Sequence, residues 1–406
     1  MEGGYAQTTI EIQKTMKTLT TKIFDSCQSH FDDIVAIRRD IHMYPETEFD
    51  VHRTADIVAN QLKKLKLQVK TGIGKTGVVG DLEISGATKR IALRADMDAL
   101  PMQELGNSPY RSRIDGKAHM CGHDVHTAML IGAAKVISQL KVELKTNVRF
   151  IFQPSEEKFP GGAPAMIKDG VLDGVDQIYG LHVWPLMESG QFAICPGPAF
   201  GQPDVFEIKI RGKGGHAAFP HLATDPIMVG SQFVSILQSI ASRNVDGLES
   251  AVISVTQFHG GTADNVIPQM VKLSGTVRTL KKEVQVKVRQ RIEEILAGIT
   301  SAHGATYNFS YQEGYPVTYN HEQCVTEALA VAKTLVDAEE VIFPYSPILG
   351  GEDFGYYSQK IPACFILLGA GNKAKGIVNM CHDPRFDIDE KCIIYGMAMH
   401  ASLAIN

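Results

Sequence analysis

This sequence predicts an α/β protein with a mixed, mostly parallel sheet flanked by helices, interrupted by a small ferredoxin-like α+β satellite domain. Three observations predict it. Short apolar runs of strand length alternate with helical runs on both sides of the middle of the chain, as when helices cover both faces of a parallel sheet. Three of those runs, ending near Ala95, Phe152 and Leu181, lead straight into acidic or imidazole side chains. An open α/β sheet places its crevice at that edge. Between about 199 and 315 the order becomes β-α-β-β-α-β, that of a ferredoxin-like sandwich. A chain of 406 residues exceeds a single core. The expected division is 1–198 with 316–406 as one discontinuous domain, and 199–315 as the satellite.

Residues from about 24 to 43 read as a helix, with Ile34, Ile37 and Ile41 at helical spacing and Tyr44-Pro45 as its end. A second helix runs from about 54 to 65. Gly72-Ile-Gly-Lys-Thr-Gly77 has the end of a phosphate loop, but Val69 stands where its first glycine belongs, so a turn is predicted. Arg90 to Ala95 is a strand, followed by Asp96-Met-Asp98. A helix follows Thr127. The strand 148–152 then ends in Gln153-Pro-Ser-Glu156-Glu157. A helix near 163–169 leads to strand 177–181 and His182-Val-Trp-Pro185. Pro196 to Pro203 is a turn-rich linker. Beyond it lie strands 205–210, 251–258, 271–278 and 306–311, and helices 225–242 and 283–302. The last part reads as helix 322–336, a short helix opened by Gly350-Gly-Glu-Asp-Phe354, a buried strand 362–369 and a C-terminal helix.

A net charge of -5 without a basic stripe argues against a nucleic-acid partner. No apolar run approaches membrane-spanning length, so no membrane partner is expected. Residues 1–20 lack a signal-peptide core, and seven cysteines show no framework spacing. Reduced thiols and a cytoplasmic location are the expectation. Asn308-Phe-Ser310 matches a glycosylation acceptor by chance in that setting.

His119-Met-Cys-Gly-His-Asp-Val-His126 packs imidazole, thiolate and carboxylate groups into eight residues just before a helix. These side chains ligate borderline and hard cations. The plainer reading is a polar loop capped by Asp124 or Thr127. Further candidate donors are Glu157, His182 and His382, with Cys121 and His123 in the cluster itself. Five donors suggest two ions sharing one ligand, and a thiolate such as that of Cys121 can bridge. Asp96, Asp98 and Asp124 are expected to orient imidazoles. Alone, His182 could be a satisfied core histidine, His382 a loop histidine, and Cys381 a ligand or an inert thiol. Of Glu156 and Glu157, one can ligate while the other acts as general base. The loop Arg211-Gly-Lys-Gly-Gly-His216 reads either as an oxyanion or substrate contact by His216, or as a glycine-rich hairpin. Arg278 ends a predicted strand, and a guanidinium fork holds a carboxylate in bidentate fashion.

Eight motifs occur in order: Asp96-Met-Asp98-Ala-Leu-Pro, Cys121-Gly-His-Asp-Val-His126, Gln153-Pro-Ser-Glu-Glu157, Gly180-Leu-His-Val-Trp184, Gly212-Lys-Gly-Gly-His216, Gly275-Thr-Val-Arg278, Gly351-Glu-Asp-Phe354 and His382-Asp-Pro-Arg-Phe-Asp. From about Asp32 onward the chain resembles the amidohydrolase branch of the aminoacylase/carboxypeptidase metallopeptidase family. Hippurate hydrolases, bacterial N-acyl-amino-acid hydrolases and plant auxin-conjugate hydrolases belong to that branch. The resemblance implies a catalytic domain interrupted by a dimerising or lid-like satellite, hence a homodimer. It implies two divalent ions per chain, zinc or manganese with cobalt or nickel as alternatives, on Cys121, His123, Glu157, His182 and His382. It implies Glu156 as the base, His216 reaching a second subunit's site, and Asn265 and Arg278 holding the substrate's carboxylate. The expected reaction is hydrolysis of the amide bond of an N-acyl amino acid by metal-bound hydroxide. Its rivals are a dipeptidase or carboxypeptidase on the same site, a non-catalytic metal-binding scaffold, and a cysteine nucleophile at Cys121 with His123 or His126.

Overall fold

The structure, a computed structural model, describes the backbone of residues 2–405 and the side chains of 18–405. The sequence expectation on residues 1–20 therefore falls mostly on side chains outside the described residues. The chain forms two compact units. One comprises Met1–Gly197, Tyr319–Ser346 and Tyr356–Asn406, and the other Pro198–Thr318 with Pro347–Gly355. The segment carrying Gly351-Glu-Asp-Phe354 thus groups with the second unit.

The first unit is built on an eight-stranded sheet. Its middle is the parallel set Asn147–Gln153, Arg90–Asp96, Gln177–Glu188 and Ala363–Gly371, in that order. These strands are apolar along nearly their whole length because helices cover both faces; every residue of Asn147–Gln153 and Ala363–Gly371 is buried. The antiparallel hairpin Gln68–Ile73 and Gly77–Leu82 extends one edge, with the predicted turn between its strands. The short strands Phe192–Ala193 and Val341–Ile342 finish the other. Helices His123–Gln139 and Cys392–Ile405 are buried almost all round, as their unbroken apolar character requires. The helix Glu2–Met43 packs on both and starts well before the predicted 24.

One strand end differs from expectation. The strand Gln177–Glu188 runs through His182 and Pro185, so His182 lies within a strand rather than past its end. The pairing with Ala363–Gly371 slips between Gly369 and Gly371, and a bulge of that kind tolerates proline.

The second unit is a four-stranded antiparallel sheet in the order Ala251–Gly260, Met270–Thr279, Gln202–Arg211, Thr306–Gln312. Helices Pro226–Leu237 and Lys282–Ala302 lie against it, giving the expected ferredoxin-like order. Strict alternation on Gln202–Arg211 and Met270–Thr279 buries one face, with Phe206, Ile208, Ile210, Leu273 and Val277 in the core. Helix Pro226–Leu237 begins where Asp225 Oδ1 accepts the Ile227 N–H at 2.9 Å and Pro226 fixes the first turn. Among the described residues no helix is long and apolar enough to cross a membrane.

Candidate active site

The candidate donors converge at one edge of the first unit's sheet. Strand Arg90–Asp96 delivers Asp96 and then Asp98, strand Asn147–Gln153 leads to Glu156 and Glu157, and helix His123–Gln139 opens on His123. Gly122 precedes that helix at φ 92, and a Cβ there would lie 2.4 Å from Val183 Cγ2. Only glycine lets this turn close onto the strand that bears His182. Neither Asp124 nor Thr127 caps the helix; the cap residue is Gly122. Ser155 (φ 55) and His382 (φ 70) also hold left-handed backbone, a strain found where surrounding structure fixes functional side chains.

Two donor triads share Cys121. Ligand atoms of Cys121, His123 and His182 lie within 4.8 Å of one another, as do those of Cys121, Glu157 and His382. Cys121 Sγ is 3.5 Å from His182 Nε2, and His382 Nε2 is 3.2 Å from Glu157 Oε1. Glu156 Oε2 lies 3.9 Å from His123 Nε2 and belongs to neither Cys121 triad. Cys381 Sγ lies near the Cys121 carbonyl oxygen.

Asp98 holds both glutamates by their backbone, accepting the N–H of Glu156 at 2.8 Å and of Glu157 at 3.1 Å, and its Oδ1 is 3.5 Å from His123 Nδ1. Asp96 accepts from Arg94 at 2.7 Å and from His126 Nδ1 at 2.7 Å. The Val183 N–H donates to His126 Nε2 at 2.9 Å, so the His126 proton sits on Nδ1. Both His126 nitrogens are thus engaged in tying the end of one strand to the strand of His182. Burial pushes His123 down, but the carboxylates of Asp96 and Asp98 win and raise it.

Asp124 does not orient a donor imidazole. It takes Arg38 Nε at 2.7 Å and His42 Nδ1 at 2.8 Å, with both side chains of the Arg38 pair fully buried. Burial opposes its ionisation, yet Arg38 and His42 hold its carboxyl well below the usual range. Arg38 also reaches Glu390 at 3.3 Å and lies over the Tyr110 ring at 4.5 Å. This network joins the start of the His123 helix to the segment that follows His382. The sequence reading overlooked Arg38 and His42; the usable signal was a cation and an imidazole four residues apart on the helix face that carries Ile34 and Ile41. Arg38→Met leaves Asp124 as a buried charge short of its main partner. A loss of about 3–5 kcal/mol in unfolding free energy is expected, read from denaturant melts.

Both nitrogens of His123 and Oε1 of Glu157 are buried without a hydrogen-bond partner among the described residues. Glu157 Oε1 is close to His382 without hydrogen-bond geometry. Buried polar atoms left this way are costly unless a ligand completes them. Thiolate, imidazole and carboxylate together suit a divalent metal ion, so the residues fit such a site.

In the second unit His216 is exposed on the two-residue strand Gly215–His216, paired with Val266–Ile267, and its Nδ1 accepts the Ala218 N–H at 3.1 Å. His216 and Asn265 line one cavity of about 610 Å³. Arg278 is half-buried and pairs with Val252 and Pro203. From Met270, which lines the same cavity, to Arg278 the strand runs about 26 Å at about 3.3 Å per residue. Within one chain, Asn265 and Arg278 are therefore not brought together.

A model of peptidase family M20/M25/M40 matches residues 92–406. Thermostable carboxypeptidase 1 of Saccharolobus solfataricus is 37% identical over 391 residues, covering 96% of this chain and 98% of that protein. The N-acyl-L-amino acid amidohydrolase of Geobacillus stearothermophilus is 45% identical over 291 residues, 72% of this chain and 79% of that protein. The crystal structure of the Bacillus subtilis YXEP protein, a dinuclear metal binding peptidase from the M20 family, superposes with a TM-score of 0.81 at 34% identity over 93% of this chain and 98% of that one. Likeness of this extent, in sequence and in fold, leaves one conclusion: the chain belongs to peptidase family M20/M25/M40.

Proposed function

We propose that this protein hydrolyses the amide bond of N-acyl amino acids, with two divalent metal ions held by Cys121, His123, Glu157, His182 and His382 and with Glu156 as general base. The observation that carries the reading is the sharing of Cys121 between two donor triads, with Glu156 beside His123 but outside both. The names of the Geobacillus and Bacillus relatives support the amide chemistry and the paired ions. Zinc or manganese suits the mixed donor set, with cobalt or nickel as alternatives. When bound, such a pair makes water more acidic and polarises an acyl carbonyl. Glu156 accepts the proton of the attacking water and returns it to the leaving amine. Asp98, bonded to the Glu156 N–H, keeps that carboxylate from drifting; Asp96, through His126, steadies the strand of His182.

The test of the shared thiolate is metal content. Wild-type chain should hold close to two ions, and Cys121→Ala should lose both occupancy and activity. A Cys121→Ala chain with full metal and normal turnover would end the reading.

Substrate choice follows from Arg278, whose half-buried guanidinium suits a free carboxylate. With N-acetyl or N-benzoyl amino acids, Arg278→Ala should cost about 1.5–3 kcal/mol in kcat/KM. The loss should shrink for carboxamide substrates. Equal rates on free and blocked substrates would make the protein a broader amidase. The name of the Saccharolobus relative favours a second reading, a carboxypeptidase on the same site. A panel of N-acyl amino acids against longer blocked peptides separates the two.

The proposed assembly is a homodimer through the second unit. Strand Ala251–Gly260 is an edge of its sheet with Val252 and Phe258 exposed, and helix Pro226–Leu237 exposes Ile227, Met228 and Ile236. An open edge beside an apolar helix face suits a twofold partner. All seven cysteines are free, in keeping with the proposed cytoplasmic setting.

A further inference from the structure

We propose that Cys121 and Cys381 form a reversible disulfide, an oxidation site that removes the shared thiolate from both donor triads at once. The two segments are held side by side by the main chain: the His382 N–H donates to the Met120 carbonyl at 2.7 Å. Cys381 Sγ lies 3.9 Å from the Cys121 carbonyl oxygen and 4.0 Å from that of Val183, which sets the Cys381 sulfur beside the Cys121 main chain. Cys381 belongs to none of the donor groups around the site. Among the described residues it is also the most accessible cysteine, the other six being buried. A reagent from solution therefore meets Cys381 first.

The oxidant is a low-molecular-weight disulfide such as oxidised glutathione. The Cys381 sulfur displaces one glutathione and forms a mixed disulfide. The Cys121 sulfur then attacks the Cys381 sulfur, and the second glutathione leaves. Two electrons pass from the protein to the reagent, and the two thiol protons end on the released glutathiones. A disulfide sulfur is no longer an anionic donor, so metal and disulfide compete for Cys121. The disulfide itself stands on the geometry alone; its effect on metal rests on the proposed dinuclear site.

The test treats the full-length protein, chelator-stripped and metal-loaded in parallel, with oxidised glutathione. Free thiols are counted, peptides are mapped and metal uptake is measured. The stripped chain should lose two thiols and the mass of two hydrogens, with the peptides of Cys121 and Cys381 linked. Metal uptake should fall by about tenfold or more, the lower bound for losing even an outer partner of a site, and recover with dithiothreitol. The loaded chain should resist linkage. Cys381→Ser should form no link and should keep its metal after the same treatment. Untouched thiols, or a glutathione adduct on Cys381 without the internal bond, would overturn the disulfide. A linked chain that still takes up its full metal would leave the disulfide standing, and would remove Cys121 from the proposed ligand set.

Discussion

Glu156→Ala should keep its metal ions and lose roughly two to four orders of magnitude in kcat, the span general-base removal covers. Its neighbour should behave differently. Glu157 Oε1 lies in the triad with Cys121 and His382, so Glu157→Ala should lose metal as well as activity. The expected contrast follows from the donor groups, and Asp98 fixes both glutamates by their backbone N–H groups. Both carboxylates come within 4 Å of His123 Nε2, Glu157 at 3.8 Å and Glu156 at 3.9 Å, but only Glu157 also joins the triad of Cys121 and His382. Glu156→Gln sharpens the test, since it preserves shape and hydrogen bonding while removing the proton acceptor. Metal analysis beside single-turnover rates decides the matter. Equal metal loss in the two alanine variants would show that both carboxylates ligate, and a new base would have to be found.

Much of this arrangement was legible in the sequence because it is local. The central strands are short, apolar and closely followed by chemistry-bearing residues, as at Ala95-Asp96 and Phe152-Gln153. The β-α-β-β-α-β order was readable because its strands alternate cleanly. The hairpin Gln68–Leu82 was not read, since its outer strand is largely exposed and its residues carry little apolar signal. Adjacency to His123 suggests that Asp124 orients an imidazole of the donor cluster. Successive helical residues turn by about 100°, however, so Asp124 faces helix Glu2–Met43 and its Arg38. That partner is more than eighty residues earlier, beyond any local pattern. The orienting residues that spacing could not show, such as His126 between Asp96 and Val183, depend on the same kind of distant closure.

Mixing two inactive chains should restore activity. His216 and Asn265 share a cavity that Met270 also lines, whereas Arg278 occupies the far end of the strand that begins at Met270. A substrate a few ångströms across cannot touch both ends in one chain. If His216, Asn265 and Arg278 all serve one substrate, two chains must supply them, and a twofold dimer does this twice over. In such a dimer His216→Ala would remove a contact from the neighbouring subunit's site, and Glu156→Ala would remove the proposed base from its own. In a hybrid dimer one site then has both defects and the other has neither. Random exchange makes half the dimers hybrid, so activity should recover to about a quarter of wild type from two nearly dead parents. The measurement is the amide-hydrolysis rate after subunit exchange, with each parent exchanged against itself as control. Recovery to that level would place His216 in trans. A mixture no more active than its parents would confine His216 to its own chain or take it out of catalysis, and His216 with Asn265 could not then share one substrate with Arg278.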